Sequence, residues 1–276
     1  MMAQVPTASQ PSSGARVAVV TGAARGIGAA VARRLAADGF ALALGDVVED
    51  DPSLAYALAR PEQLEEVADS CRRVGAGVVA QRCDVRDAAE VERLVAAAED
   101  RLGPLTAAVA VAAVLGGGGQ AWELGDELIR RDLEVNYLGV VRLCRAAVPR
   151  LLAAENPAGG RVVAVVSTAG VTGLPRLASY AASKHAALGY IKSLAADLAG
   201  TGVTANAVLP GSTDTDLLRA TADVYGIDDH SVFARHHRIG RLLDPEEVAE
   251  AVGWLCSGAT SAVTGIALPV DGGFTG

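Results

Sequence analysis

Residues 17–35 read Val17-Ala18-Val19-Val20-Thr21-Gly22-Ala23-Ala24-Arg25-Gly26-Ile27-Gly28-Ala29-Ala30-Val31-Ala32-Arg33-Arg34-Leu35: a short apolar run, a turn with three glycines, and an alanine-rich segment of helix formers. The apolar run suits a strand buried on both faces, and the change of period at the glycines marks a β-strand feeding directly into an α-helix. Glycine at such a junction lets the backbone turn tightly and approach a ligand, while the helix N-terminus offers unpaired N–H groups and a positive dipole end to an anion. Gly22, Arg25, Gly26, Ile27 and Gly28 are therefore candidates for holding a pyrophosphate. Read without a ligand, the same residues make an ordinary strand-to-helix turn in a chain with 31 glycines.

The rhythm set by this unit continues along the chain. Strands are predicted at Val17–Thr21, Ala41–Leu44, Val78–Cys83, Ala107–Val114, Arg161–Val166, Thr204–Leu209 and Ala267–Val270. Helices are predicted near Gly28–Asp38, Gln63–Val74, Ala88–Arg101, Glu127–Leu152, Tyr180–Leu198 and Pro245–Ser257. Alternation of this kind implies an α/β fold, a single doubly wound parallel seven-stranded Rossmann-like sheet with helices on both faces, spanning residues 16–276. Residues 1–15 are rich in Pro, Ser and Gln, without the basic and apolar regions of a signal peptide, and are expected to form a disordered tail. Two stretches break the rhythm: Val47–Pro61 lengthens the link after the second strand, and a polar segment at about 214–241 has the length of a lid.

Composition narrows the function. Half of the 276 residues are hydrophobic, which is enough for an extensive core, and a net charge of -8 gives no attraction to nucleic acid or anionic lipid. The most apolar run, Leu105–Leu115, is well short of the roughly 20 residues that span a bilayer. Cys71, Cys83, Cys144 and Cys256 form no C-x-x-C pair and have no histidines at ligand spacing, so reduced core thiols, no metal and a cytoplasmic location are expected.

In a sheet of this type ligands bind beyond the carboxyl ends of the strands. Asp46 stands after the second strand, about 20 residues beyond the glycine turn, where an acid accepts hydrogen bonds from adenosine ribose hydroxyls and repels a 2′-phosphate. That favours NAD over NADP; Arg25 is a countervailing cation, and a solvated turn aspartate is the plain alternative. Asp84, followed by Val85 after the third strand, is placed to reach an adenine amino group or, alternatively, to cap the next helix.

The chain has two lysines, and one of them, Lys184, follows Tyr180 at helical spacing on one face. A phenol with a neighbouring ammonium favours the phenolate, the requirement of a group that moves protons near neutral pH. Ser167 ends the fifth strand, where its hydroxyl can orient a substrate oxygen. Asn136 interrupts an apolar helical stretch, either bending it to hold a relay water or serving a purely structural partner. These four are the candidate catalytic residues.

With these residues assembled, the chain resembles the classical short-chain dehydrogenase/reductase family from Arg16 to Gly276. The resemblance rests on the Thr21–Gly28 loop, Asp84, Asn136, Ser167, Tyr180-x-x-x-Lys184 and Pro210-Gly211. It implies an NAD-dependent alcohol dehydrogenase or carbonyl reductase, with Tyr180 and Lys184 also touching the cofactor, further contacts at Pro210, Gly211, Thr213 and Thr215, and a homotetramer joined partly through the Leu268–Gly273 turn. One departure is plain: where the family carries Asn-Asn-Ala-Gly, this chain has Ala110-Val111-Ala112-Ala113 and then Gly116–Gly119, leaving Ala112 to meet the cofactor by its backbone. The Val47–Pro61 insert and the ending Val-Asp-Gly-Gly-Phe-Thr-Gly resemble a narrower branch, the mycofactocin-associated dehydrogenases, implying tightly held NAD reoxidised by mycofactocin. The apolar Ala169–Pro175 loop points to a hydrophobic secondary alcohol or ketone, with His236 and His237 in the lid either touching it or solvated. The rival reading is a non-catalytic dinucleotide-binding regulator on the same fold.

Overall fold

The computed structural model describes residues 16–276; the expected N-terminal tail lies outside them. β1 (Arg16–Thr21), α1 (Gly26–Ala37), β2 (Phe40–Asp46), α2 (Pro61–Arg73), β3 (Val78–Arg82), α3 (Ala88–Leu102) and β4 (Leu105–Ala110) form the first half. α4 (Asp126–Leu133), α5 (Gly139–Ala153), β5 (Arg161–Val165), α6 (Ala178–Asp197), β6 (Thr204–Pro210), α7 (Asp216–Tyr225), α8 (Pro245–Leu255) and β7 (Ala267–Val270) complete it. The seven strands make one parallel sheet in the order β3-β2-β1-β4-β5-β6-β7, so the direction in which successive strands are added across the sheet switches between β1 and β4. A crevice opens at that reversal, beyond the carboxyl ends of the strands.

Both faces are apolar because both are covered. Along β1, Val17 and Val19 point into a core shared with α3, α5 and α6. Ala18 and Val20 alternate to the opposite face, against α1, α2 and α8. Caps fix where several helices begin: Asp87 accepts from the N–H groups of Ala89 and Glu90 at the start of α3, and Thr215 does the same for Leu218 in α7.

Two predicted elements differ. The fourth strand stops at Ala110, since Val111–Val114, though apolar, runs off the sheet into the crevice. The helix predicted at Glu127–Leu152 is divided into α4 and α5 by a π-helical turn, Glu134–Leu138, centred on Asn136. The asparagine is buried and its amide is drawn to groups outside the helix, which accounts for the local widening. Among the described residues, no helix is long and apolar enough to cross a membrane.

Candidate active site

The crevice is a cleft of about 770 Å³ lined from both halves of the sheet. At one end lies the glycine turn. Gly22 adopts φ +70°, and a Cβ there would lie 2.5 Å from the Ala112 backbone nitrogen; at Gly28 it would lie 1.8 Å from the Gly22 carbonyl oxygen. Side chains are thus excluded where β1, α1 and the β4 loop converge, leaving backbone and the first turn of α1 facing the cleft, a cradle suited to a pyrophosphate. Asp46 is tied into the same turn, its Oδ2 accepting from the Ala24 N–H at 2.9 Å. Burial raises its pKa, against the lowering effect of three backbone donors and Arg25.

The cations near Asp46 are engaged elsewhere. Arg25 Nη1 lies 3.2 Å from Asp216 Oδ2, fastening the glycine turn to α7. Arg86 holds Asp84 at 2.8 Å and Asp51 at 2.7 Å. Asp84 is therefore gripped by a guanidinium whose hydrogen bonds and charge keep its carboxyl below the usual range, although burial pushes upward. The alternative role of Asp84 as a helix cap is filled by Asp87.

Ser167, Tyr180 and Lys184 meet on the wall between β5 and α6, and all three line the cleft. Tyr180 and Lys184 are buried, as their i, i+4 spacing on the inward face of α6 requires. Their electrostatics differ from the expectation that Lys184 draws the phenol's pKa down. Burial pushes the phenol up to about 12, and the Ser167 hydroxyl is the group opposing that rise. Burial likewise lowers Lys184 to about 8. Its Nζ donates to the Val165 carbonyl at 3.3 Å and sits 5.7 Å from the centroid of the Tyr180 ring. With both groups out of water, each neutral form is favoured.

The other cofactor candidates, Arg25, Gly26, Ile27, Val85, Ala112, Pro210, Gly211, Thr213 and Thr215, also face this cleft. Asn136 does not. Its Oδ1 accepts from the Val114 N–H and its Nδ2 donates to the Val114 carbonyl, both at 2.9 Å, and to Ser183 Oγ at 3.0 Å. The side chain is thereby committed to a structural partner. His237 is likewise removed from the cleft: it is buried, its Nε2 accepts from the Ser212 N–H at 3.0 Å and its Nδ1 donates to the Arg241 carbonyl at 2.7 Å, bolting the segment after β6 to the stretch before α8. His236 lines the cleft.

Sequence reasoning missed the anchors of the insert. Tyr56 accepts from the Leu115 N–H at 2.8 Å and packs against the apolar cluster that includes Tyr180, Leu177 and Leu115. Together with Asn136 it holds the β4 loop that lacks the family's asparagines. The available signal was that Tyr56 is the single aromatic residue in Val47–Pro61. Farther along, Arg131 Nη1 donates to the Ser53 carbonyl at 2.5 Å, and its Nη2 lies 3.4 Å from the fully buried Asp132. Gly116 leaves room for this pair, since a Cβ there would be 2.5 Å from Arg131 Nη2. Among the described residues Asp132 Oδ2, Arg131 Nε and Ser179 Oγ are buried without partners, and burial raises the Asp132 pKa.

The sequence model of the family described as enoyl-(acyl carrier protein) reductase matches residues 22–275. Cis-4-hydroxycyclohexanecarboxylate dehydrogenase of Sinomonas cyclohexanicum is 38% identical over 261 residues, covering 94% of this chain and 96% of its own. Carveol dehydrogenase from Mycobacterium avium, solved in complex with NAD, superposes with a TM-score of 0.89 at 29% identity over 96% of this chain and 99% of that one. A variant of actinorhodin polyketide ketoreductase, solved with NADPH, gives a TM-score of 0.82 at 35% identity over 94% of this chain and 97% of the other.

Proposed function

The chain belongs to the classical short-chain dehydrogenase/reductase family, and from that premise we propose that it is an NAD-dependent dehydrogenase interconverting a hydrophobic secondary alcohol and its ketone. The observation that carries this reading is the presence of Ser167, Tyr180 and Lys184 on the wall of the cleft that also carries the glycine cradle and Asp46. NAD, when bound, supplies the hydride acceptor for alcohol oxidation, and its reduced form the donor for ketone reduction.

The protein's own residues supply the rest. The Ser167 hydroxyl donates to the substrate oxygen and holds it toward the phenol; Tyr180 takes the hydroxyl proton during oxidation and returns it during reduction at its phenolic oxygen. Lys184, buried beneath the ring, is placed to hydrogen-bond a ribose hydroxyl and to add positive charge beside the phenol. Asn136 keeps the β4 loop at its correct height by gripping Val114. Leu115, Leu174, Leu177, Leu217 and Phe233 give the chamber apolar walls that exclude water. Preference for NAD follows from Asp46 at the ribose end, where Arg25 is paired with Asp216 rather than left for a 2′-phosphate.

Three ties, Asp51 to Arg86, Ser53 to Arg131 and Tyr56 to Leu115, fasten the Val47–Pro61 insert beside the dinucleotide cleft, which Asp51, Leu58 and Ala59 help to line. A fastened cover of this kind suits tightly held NAD, and mycofactocin as the external electron acceptor is proposed on the sequence resemblance alone. The four buried free cysteines suit a reducing cytoplasm. β7 ends the sheet with an open edge, which suits a homotetramer; sedimentation as a monomer at micromolar concentration refutes that assembly.

The decisive experiment is Tyr180→Phe. Turnover falls roughly 10²–10⁴-fold while NAD binding is retained; unchanged turnover overturns the assignment. Dialysis of the purified protein, followed by assay with a dye acceptor, distinguishes retained from exchanging NAD.

A further inference from the structure

Four arginines lie in the lid, and three of them have structural work. Arg219 pairs with Asp214 and Asp216, Arg241 holds Glu247, and Arg238 donates to the carbonyl of Gly276. The fourth, Arg235, forms no ion pair or side-chain hydrogen bond among the described residues, and it is the lid arginine that lines the cleft.

Its position is set by packing. Arg235 belongs to the 3₁₀ helix His230–His236, which is pinned by the buried Phe233 ring against Tyr225 at 6.1 Å and by the His236 ring against Phe274 at 5.6 Å. All four rings line the cleft together with Arg235, whose side chain is exposed, so its charge borders an aromatic and aliphatic wall from the solvent side. The other charged groups of the cleft are internally satisfied: Arg25 with Asp216, Arg86 with Asp51 and Asp84, Asp46 with the Ala24 N–H. Lys184 is directed to the Val165 carbonyl. One positive charge is left over on the side of the chamber formed by residues 214–241. Beside it, burial and the neighbouring Arg235 and His237 lower the His236 pKa, leaving a neutral imidazole as a second hydrogen-bonding group.

We propose that Arg235 and His236 form an anion subsite and that the substrate is a hydroxy- or oxocarboxylic acid, its alcohol or ketone carbon at Tyr180 and its carboxylate on Arg235, separated by an apolar ring or chain. This rests on the dehydrogenase reading of the same cleft. A guanidinium fork matches a carboxylate in geometry and charge, whereas a phosphate dianion would be left half-compensated by one arginine and a neutral imidazole. The subsite takes no part in the redox step, which is the alcohol–ketone exchange described above.

The test has two readouts on the full-length protein. Calorimetric titration with cyclohexanecarboxylate and with cyclohexylmethanol measures the subsite without turnover. The acid binds the native protein at least roughly tenfold more tightly than it binds Arg235→Gln, as expected for one charge-assisted pair, while the alcohol discriminates little between them. Turnover of 4-oxocyclohexanecarboxylate and of its methyl ester with NADH gives the second readout: Arg235→Gln brings the acid-to-ester ratio of kcat/KM down toward one, mainly through KM. Equal acid binding by native and variant proteins, or a loss that falls equally on acid and ester, overturns the subsite. An acid preference that vanishes in Arg235→Gln, together with turnover that survives Tyr180→Phe, instead keeps the subsite and overturns the catalytic assignment.

Discussion

Replacing Tyr56 by phenylalanine removes one oxygen from the insert and nothing else. That oxygen accepts the Leu115 N–H at 2.8 Å, in a half-buried setting next to the apolar cluster containing Tyr180. A buried donor left unpaired costs about 1–3 kcal/mol, and partial access of water here places the expected loss near the lower end, at about 1–1.5 kcal/mol. At roughly 2–4 °C per kcal/mol for a domain approaching this size, the midpoint of thermal unfolding drops by about 2–6 °C. The same N–H belongs to the loop that lines the cleft with Ser167, Tyr180 and Lys184, so on the proposed function a freed Leu115 also lowers kcat/KM by about tenfold, equivalent to about 1.4 kcal/mol. Urea unfolding and steady-state kinetics of native, Tyr56→Phe and Tyr56→Ala proteins separate the hydroxyl from the ring. A phenylalanine variant within about 0.3 kcal/mol of the native protein, with unaltered kinetics, shows that the hydroxyl does not hold the loop.

Further expectations follow from the cleft. Gly22→Ala puts a Cβ against the Ala112 backbone at φ +70°, whereas Gly26→Ala at φ +52° meets only Thr215 Cγ2 at 3.2 Å. NAD affinity measured by fluorescence therefore falls at least about tenfold further for Gly22→Ala than for Gly26→Ala, and equal affinities refute the cradle geometry. Asp46→Ala narrows the preference for NAD over NADP by roughly tenfold or more in kcat/KM; an unchanged ratio removes Asp46 from cofactor selection. Tyr180 titrates high: the difference at 295 nm between native protein and Tyr180→Phe, without added dinucleotide, shows ionisation approaching pH 12, and a midpoint below 10 contradicts the burial. The sign for stability follows. Because folded Lys184 releases its proton near pH 8 and the unfolded chain near its ordinary 10.5, this group's destabilising contribution fades as pH rises through that window. Tyr180 acts oppositely between its ordinary 10.0 and about 12, where only the folded state keeps the proton. Denaturant midpoints of native protein and Lys184→Met, compared at pH 7.5 and pH 10, read the first of these directly.

The sheet was legible because its strands are apolar on both faces and glycine or polar turns separate them; β1, β5 and β6 lie within a residue of their predicted bounds. Hydropathy failed at Val111–Val114, where an apolar run lines a cleft instead of continuing a strand, and at Asn136, where one buried amide widens a helix that periodicity alone carries straight through. The conjunction of Ser167, Tyr180 and Lys184 could be read from spacing because Tyr180 and Lys184 stand four residues apart within α6 and Ser167 stands just beyond the end of β5. Tyr56, Arg131 and Arg235 could not, since their roles depend on loops whose paths are set by partners distant in sequence, such as Leu115 and Ser53.

Besides an exposed Glu49–Arg82 pair to the end of β3, the insert is stitched at three points to three separately encoded parts of the chain: the turn before α3, the end of α4, and the stretch beyond β4. Such a segment cannot be inherited or transplanted alone. In homologous sequences Arg86, Arg131 and the glycine at position 116 should appear and disappear with the long link after β2, and a chimera given that link without its three receiving sites would carry a loose flap rather than a clasp.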